Sequence, residues 1–301
     1  MSSTRLLATA FALCAIAVAG CGLGPGEDEG GVDLTVSRDY GRDVLAQKRE
    51  SIKQSDTVLR VLDRNAEVAT RYGGGFVQSI DGLAGTASGG RTSDWFFYVN
   101  GIESPIGSAQ YDLSGGDRIW WDYRDWTAAM RVPAVVGSWP EPFAHGFQDD
   151  HWPASIDCHT APATCQLVAS KLASAGARTA SAGGDSIDVE VGPWNAILSR
   201  TPEMALLAQG PERSGVFARF GLGRRPILDL LNERGEIAGS IGKGGGLVAA
   251  LRDGDDPPVW VVTGTDDKGV AAAAGLLGDQ LRNHYAVATQ PGAGPIGVPV
   301  P

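Results

Sequence analysis

Apolar residues return at every second position over residues 32–37, with Val32, Leu34 and Val36 on one face, and this alternation predicts a strand. Ser55 and Asp56 offer helix N-caps before Val58, Leu59, Val61, Leu62 and Ala66, a spacing that gives a helix with one apolar stripe. A Gly-rich turn over 71–75 leads to a strand over 76–80. Residues 95–99 carry a strong strand signal, and the Asn100-Gly101 pair that follows marks a tight hairpin turn. A short strand over 111–113, a turn over 114–117 and a strand over 118–123 complete this part. Strand, helix and then several strands predict a small mixed sheet packed on one helix.

The pattern then changes. Residues 134–147, with Pro133, Pro140 and Pro142, read as an extended linker or a strap across the surface. A helix is expected over 165–175 with Leu167, Val168 and Leu172 on one face, and an alternating strand over 187–191. Helical pieces over 194–198 and 204–208 and a strand over 216–220 follow. Residues 258–263 are a near-continuous apolar strand, and 269–281 an Ala/Leu-rich helix. Strands alternating with helices argue for an α/β layer with a partly parallel sheet. The fold class expected is therefore α+β: a mixed-sheet domain over 32–130, a Pro-rich linker or strap over 131–150, an α/β domain over 151–290 and a disordered Pro/Gly-rich tail over 291–301.

Alternate side chains of a strand point to opposite faces. Trp95, Phe97 and Val99 share one face of their strand, and Phe96 and Tyr98 the other. On the last strand Ile119, Trp121 and Tyr123 oppose Arg118, Trp120 and Asp122. A sheet with one covering helix needs a single aromatic face for its core. The second face, with Phe96, Tyr98 and Trp120, must be covered by a flat ligand, by the second domain or by the 134–147 strap.

The run Trp95-Phe96-Phe97-Tyr98-Val99-Asn100-Gly101, then Gly107, Tyr111-Asp112-Leu113, Gly116-Asp117 and Trp120-Trp121-Asp122-Tyr123, resembles the C-terminal domain of transcobalamin and intrinsic factor. It also resembles bacterial extracytoplasmic proteins that carry the same module. The resemblance spans roughly residues 32–126. It implies a β-grasp-like fold, and in the vitamin B12 carriers that domain covers one side of the corrinoid. The helical α/α barrel that makes the other half of the B12 site in those carriers leaves no trace in this pattern.

The chain has 301 residues, enough for two domains with buried cores. Apolar residues at 43% and charged residues at 20% give a globular profile. A net charge of −10 argues against nucleic acid as a partner, since phosphate binding needs concentrated positive charge. The first residues call for a different reading. Arg5, the apolar run over 6–19 and the ending Val18-Ala19-Gly20-Cys21 mark residues 1–20 as a lipoprotein signal peptide. A run of fourteen residues is too short to span a bilayer as a permanent helix, which takes about 20. The expected location is the cell membrane, on its extracytoplasmic face, anchored by lipid on Cys21, with residues 21–31 as a flexible acidic tether. Cys14 leaves with the signal, so Cys158 and Cys165 remain and are expected to form one disulfide in an oxidising compartment.

Other constellations add little chemistry. His145, Asp149, Asp150, His151, Asp157 and His159 carry metal-ligand types, but their spacing matches no rigid scaffold, and they read as surface polar residues. Ser240-Ile-Gly-Lys243 fits a Ser-x-x-Lys pattern without the companion motifs of penicillin-recognising enzymes. Gly244-Gly245-Gly246 lacks the spacing of a phosphate loop. Thr265 or Asp266 is expected to cap the helix that follows. No metal site is assigned, no cofactor is named, no catalytic set assembles, and an enzyme is not expected. The reading is a membrane-anchored binding lipoprotein that captures a flat, corrinoid-like molecule on Phe96, Tyr98 and Trp120 and passes it to a membrane transporter. The alternatives are a structural or interaction lipoprotein of the envelope, with the aromatic face buried by the second domain, and an extracytoplasmic enzyme.

Overall fold

Val32, Leu34 and Val36 do point together into a core, from a strand longer than their alternation marks. The computed structural model describes residues 27–301 except 149, 181–184, 222, 224 and 225. The signal segment, Cys21, the tether up to residue 26 and Asp149 lie outside the described residues.

β1 (Asp28–Arg38) and β2 (Asp43–Lys53) form an antiparallel hairpin. Helix α1 (Val58–Asp63) follows, with the Thr57 hydroxyl accepting from the Arg60 N–H at 3.3 Å, so the cap falls one residue beyond the expected pair. β3 (Val68–Arg71), β4 (Phe76–Ile80) and β5 (Leu83–Ala84) make a small separate sheet. β6 (Thr86–Ser88), β7 (Arg91–Val99), β8 (Ile102–Glu103) and β9 (Arg118–Asp125) complete the unit. Its main sheet runs β2-β1-β9-β7-β6, with β8 hairpinned on β7. β1 and β9 are parallel and the other pairs antiparallel, which is the mixed sheet expected. Asn100 and Gly101 both have positive φ, 52° and 78°, as a two-residue hairpin turn requires.

Three local expectations fail here. β1 begins at Asp28, inside the segment read as tether, because β2 offers it a partner. β2 gives no signal in the sequence: it is an edge strand whose side chains are mostly exposed, so neither face needs to be apolar. Residues 111–113 make only an isolated bridge, Thr57 to Asp112, rather than a strand.

The second unit contains β10 (Ala154–Cys158), α2 (Pro162–Ser174), β11 (Ile187–Pro193), α3 (Trp194–Ile197), α4 (Pro202–Gln209) and α5 (Pro211–Ser214). β12 (Ala218–Phe220), β13 (Leu228–Leu231) and β14 (Ile237–Ile241) form a three-stranded meander. β15 (Gly246–Leu251), β16 (Val259–Gly264), α6 (Asp267–Leu276), β17 (Ala286–Thr289) and β18 (Ile296–Val298) end the chain. The large sheet has the order β10-β11-β16-β15-β17-β18. Its first three strands are parallel and the rest antiparallel, so the layer is partly parallel and the whole chain is α+β. Asp266 caps α6 by accepting from the Gly269 N–H at 3.0 Å. A disulfide joins Cys158, at the end of β10, to Cys165 in α2. On α2 the inward face is Thr164, Val168 and Leu172, while Leu167, expected among them, is 37% exposed.

Two further expectations are overturned by burial. The Pro-rich strap is not laid across a surface; its apolar side chains enter all three cores. Val135 packs with Tyr98 and Trp120, Val136, Trp139 and Phe143 pack with Trp260 beneath α2 and α6, and Phe147 packs with the core of the first unit. Asn100 ties the strap down, donating to Gly146 O and to Asp117 Oδ1, both at 2.8 Å. The tail over 291–301 is not without structure either, since β18 pairs with β17, Val298 is buried, and Val300 bridges to Asn232. Gly and Pro in a short edge strand hid it from a reading of composition. No helix among the described residues is long and apolar enough to cross a membrane.

Candidate functional site

The aromatic face of the first sheet is where the sequence placed a ligand. Alternation does put Trp95 and Trp121 in the α1-side core with Val99 and Ile119, and Tyr98 and Trp120 on the opposite face. That opposite face is covered by the second unit. Tyr98 and Trp120 are 0% and 2% exposed, inside a core shared with Tyr40, Phe217, Tyr285 and Val135, and Phe96 packs at its margin. Tyr285 meets Trp120 and Tyr98 edge-on, with ring centroids 5.4 and 5.7 Å apart. Arg124 lies 3.7 Å above the centre of the Phe96 ring. A flat ligand has no access to Phe96, Tyr98 and Trp120 as a stacking surface, so their expected ligand role is corrected: they hold the two units together. The physical reason is area. Aromatic rings of about 150–250 Å² each gain most when both faces are shielded, and the second unit supplies that shield within the same chain.

A polar chain runs through this interior. The Trp120 indole N–H donates to Ser37 Oγ at 2.8 Å, and Ser37 donates to Asp122 Oδ1 at 2.6 Å. The Gly41 N–H donates to the same oxygen at 3.1 Å. Tyr285 donates to Asp122 Oδ2 at 2.9 Å and accepts from the Tyr98 hydroxyl at 3.2 Å. Gly41 and Gly137 clamp the rim of the Trp120 ring. A Cβ at Gly137 would stand 2.6 Å from that ring, and at Gly41, where φ is +80°, 2.1 Å from Asn283 O. Burial pushes the Asp122 carboxyl up to about 6, against the pull of the hydrogen bonds from Ser37 and Tyr285.

The open surface nearest this junction is a cleft of about 250 Å³ beside the edge of Trp120. Its lining brings together Lys48, Arg49, Arg118 and Arg282, with Asp33 as the one carboxylate. Arg49 donates to Asp33 at 3.1 Å, and Arg118 donates to Trp139 O at 2.9 Å. Lys48 makes no ion pair among the described residues. Sequence reading missed this cleft, because its cations come from β2, β9 and the segment before β17, far apart in the chain.

The metal-type residues separate. His145 pairs with the buried Glu141, Nδ1 to Oε1 at 2.7 Å, and Asp150 bridges to Phe147. Asp157 and His159 do come together, and Glu190, which the sequence reading left out, joins them. Asp157 and Glu190 are register partners on the parallel strands β10 and β11, so both carboxylates lie on one face. A charged residue inside the apolar alternation Ile187, Val189, Val191 was the signal available. Burial, then the negative charge of Asp157, pushes the Glu190 carboxyl up to about 7. The Ser240 hydroxyl donates to Asp229 at 2.6 Å, and the Gly244 and Gly245 N–H groups donate to Asp266 and Thr265 at 3.0 and 3.1 Å. These amides serve the α6 turn rather than an anion.

The model of a domain family of unknown function, DUF4430, matches residues 55–125, from just before α1 to the end of β9. Among curated proteins none matches the chain. The crystal structure of haptocorrin in complex with Cbi is similar at 12% identity and a TM-score of 0.27, over 32% of this chain and 26% of that one. A proposed metal binding protein from Ruminococcus gnavus ATCC 29149 is similar at 15% identity and a TM-score of 0.25, over 32% of this chain and 98% of that one. The chain thus spans about a quarter of the length of haptocorrin.

The junction has a pH signature. The folded Asp122 carboxyl titrates near 6 and the unfolded one near 3.8, so between these values the folded state holds the extra proton. Stability from this group is fully present below pH 3.8 and is lost as pH rises from there through 6, by about 3 kcal/mol in all. The stability of wild type relative to Asp122→Asn, measured by urea unfolding, is expected to fall by about that amount from pH 4 to pH 7. A difference that does not change with pH would show that Asp122 is not held in this environment.

Proposed function

We propose that the chain is an outward-facing, lipid-anchored binding protein that holds a small anionic molecule in the cleft beside Trp120 and hands it to a membrane transporter. The observation that carries the reading is the lining: Lys48, Arg49, Arg118 and Arg282 meet there with Asp33 as its one carboxylate, Arg282 also pairing with Asp279 outside it, in a chain whose net charge is −10. Such a local excess focuses a positive potential and draws anions from solution. The size fits a small occupant, since about 250 Å³ lies just below the roughly 300–1,000 Å³ of sites that enclose drug-sized ligands. A corrinoid stacked on the aromatic face, the use that the resemblance to the B12 carriers implied, has no exposed rings to stack on. The signal segment and Val18-Ala19-Gly20-Cys21 support the anchor.

The anchor is tested by labelled fatty acid. Wild type is expected to incorporate it and Cys21→Ala to lose it, and equal labelling of both would overturn the lipidation.

The ligand is tested by thermal shift with phosphate, sulfate and citrate beside corrinoids, haem and flavins. At about a hundred times its dissociation constant a ligand stabilises the fold by about 2.7 kcal/mol. An anion is expected to raise the melting temperature, less so at high salt. The exposed double variant Lys48→Glu, Arg49→Glu should lose the shift and keep the melting temperature of the free protein. No shift from any anion, a shift indifferent to the double reversal, or a shift from a flat cofactor alone would overturn the reading.

A further inference from the structure

A second site stands in the other unit, away from the cleft. β10 and β11 place Asp157 and Glu190 side by side on one face of the sheet. His159 follows β10 directly, its N–H donating to Val191 O at 2.7 Å, and the Cys158–Cys165 disulfide pins the segment between the two ligand-type residues. Arg200 donates to Asp157 Oδ2 through Nε and Nη2 at 3.1 and 2.5 Å, which leaves Oδ1 facing His159 Nε2 at 2.9 Å. Asp157 and His159 therefore face each other as a close polar pair. Glu190 is 3% exposed, and its Oε2 has no hydrogen-bond partner among the described residues.

A buried carboxylate oxygen left unpaired is costly, and native structures rarely keep one without a ligand or a proton to satisfy it. Here that carboxylate belongs to a group in which one donor atom from each of three residues falls within 4.8 Å of the others. It is the one such group among the described residues. Three donors about 2.0–2.2 Å from a tetrahedral Zn²⁺ stand about 3.3–3.6 Å from one another, so closure from a spread of at most 4.8 Å asks for up to about 1 Å of side-chain movement. One imidazole with two carboxylates suits a borderline divalent ion, and the three leave a coordination position open. The Arg200 guanidinium on the far oxygen of Asp157 orients that carboxylate, as outer partners of metal ligands do.

We propose that Asp157, His159 and Glu190 bind one divalent transition-metal ion, Zn²⁺ serving as the probe. The site is independent of the anion cleft and stands whether or not that cleft is occupied. The test is isothermal titration of the chelator-treated mature chain with Zn²⁺. One ion per chain is expected. His159→Asn and Glu190→Gln should each weaken binding by more than about tenfold, while His145→Asn and His151→Asn leave it unchanged. In the metal-free protein, Glu190→Gln should keep or raise the melting temperature, because it replaces an unpaired carboxylate with a neutral group of the same shape. Absence of stoichiometric binding would overturn the proposal, as would binding indifferent to both His159→Asn and Glu190→Gln. A Glu190→Gln protein that melts lower without metal and binds Zn²⁺ as wild type does would make Glu190 a counter-ion of Arg200 instead.

Discussion

Tyr285 reaches from the second unit across the seam to donate to Asp122 of β9, and the same carboxylate takes hydrogen bonds from Ser37 and Gly41 of the first. A fully buried carboxylate is tolerated only where its lone pairs are satisfied, so this contact requires the two units to meet in one geometry. Around it the rings of Tyr40, Tyr98, Trp120 and Tyr285 close on one another. Apolar packing supplies most of the energy of the seam, and the polar chain sets its register. The aromatic surplus of the first sheet is thereby spent inside the molecule, and the chemistry left to solvent is that of the rim: cations beside Trp120 in one place, and the Asp157–His159–Glu190 group in another.

Much of the first unit was legible because its strands alternate. Phe97 and Trp121 stack at 4.9 Å on the α1 side, and Tyr98 and Trp120 stand on the other, as period two requires. What alternation could not say is who covers the second face. Ligand, strap and second domain each satisfy the alternation, and the answer depends on Phe217 and Tyr285, more than a hundred residues away from Tyr98. β2 was invisible for the opposite reason: its partner is β1 alone, its side chains face water, and no apolar pattern is needed. The prolines of the strap hide its burial. They interrupt regular strand pairing, but Val136, Trp139 and Phe143 beside them are buried.

The second unit shows how a site can be half legible. Asp157 and His159 stand in a loosely spaced cluster of metal-type residues, of which His145 pairs instead with Glu141 while the Asp150 backbone bridges to Phe147. The third member of the surviving group, Glu190, comes from the neighbouring parallel strand, a pairing that requires the crossover through α2. Sequence separation hides such partners, while strand register makes them neighbours. The basic cleft has the same origin, its cations gathered from three elements by the docking of the units.

If the seam makes one body of the two units, a defect placed in it must be felt on both sides. Trp120→Ala removes a buried ring there, at an expected cost of about 3–5 kcal/mol. Hydrogen exchange of this variant, read by mass spectrometry on core peptides of β9 and of β16, measures the effect in each unit separately. Equal loss of protection in both is the expected result. A loss confined to β9, with β16 protected as in wild type, would contradict the shared interior and return the aromatic face to the first unit alone.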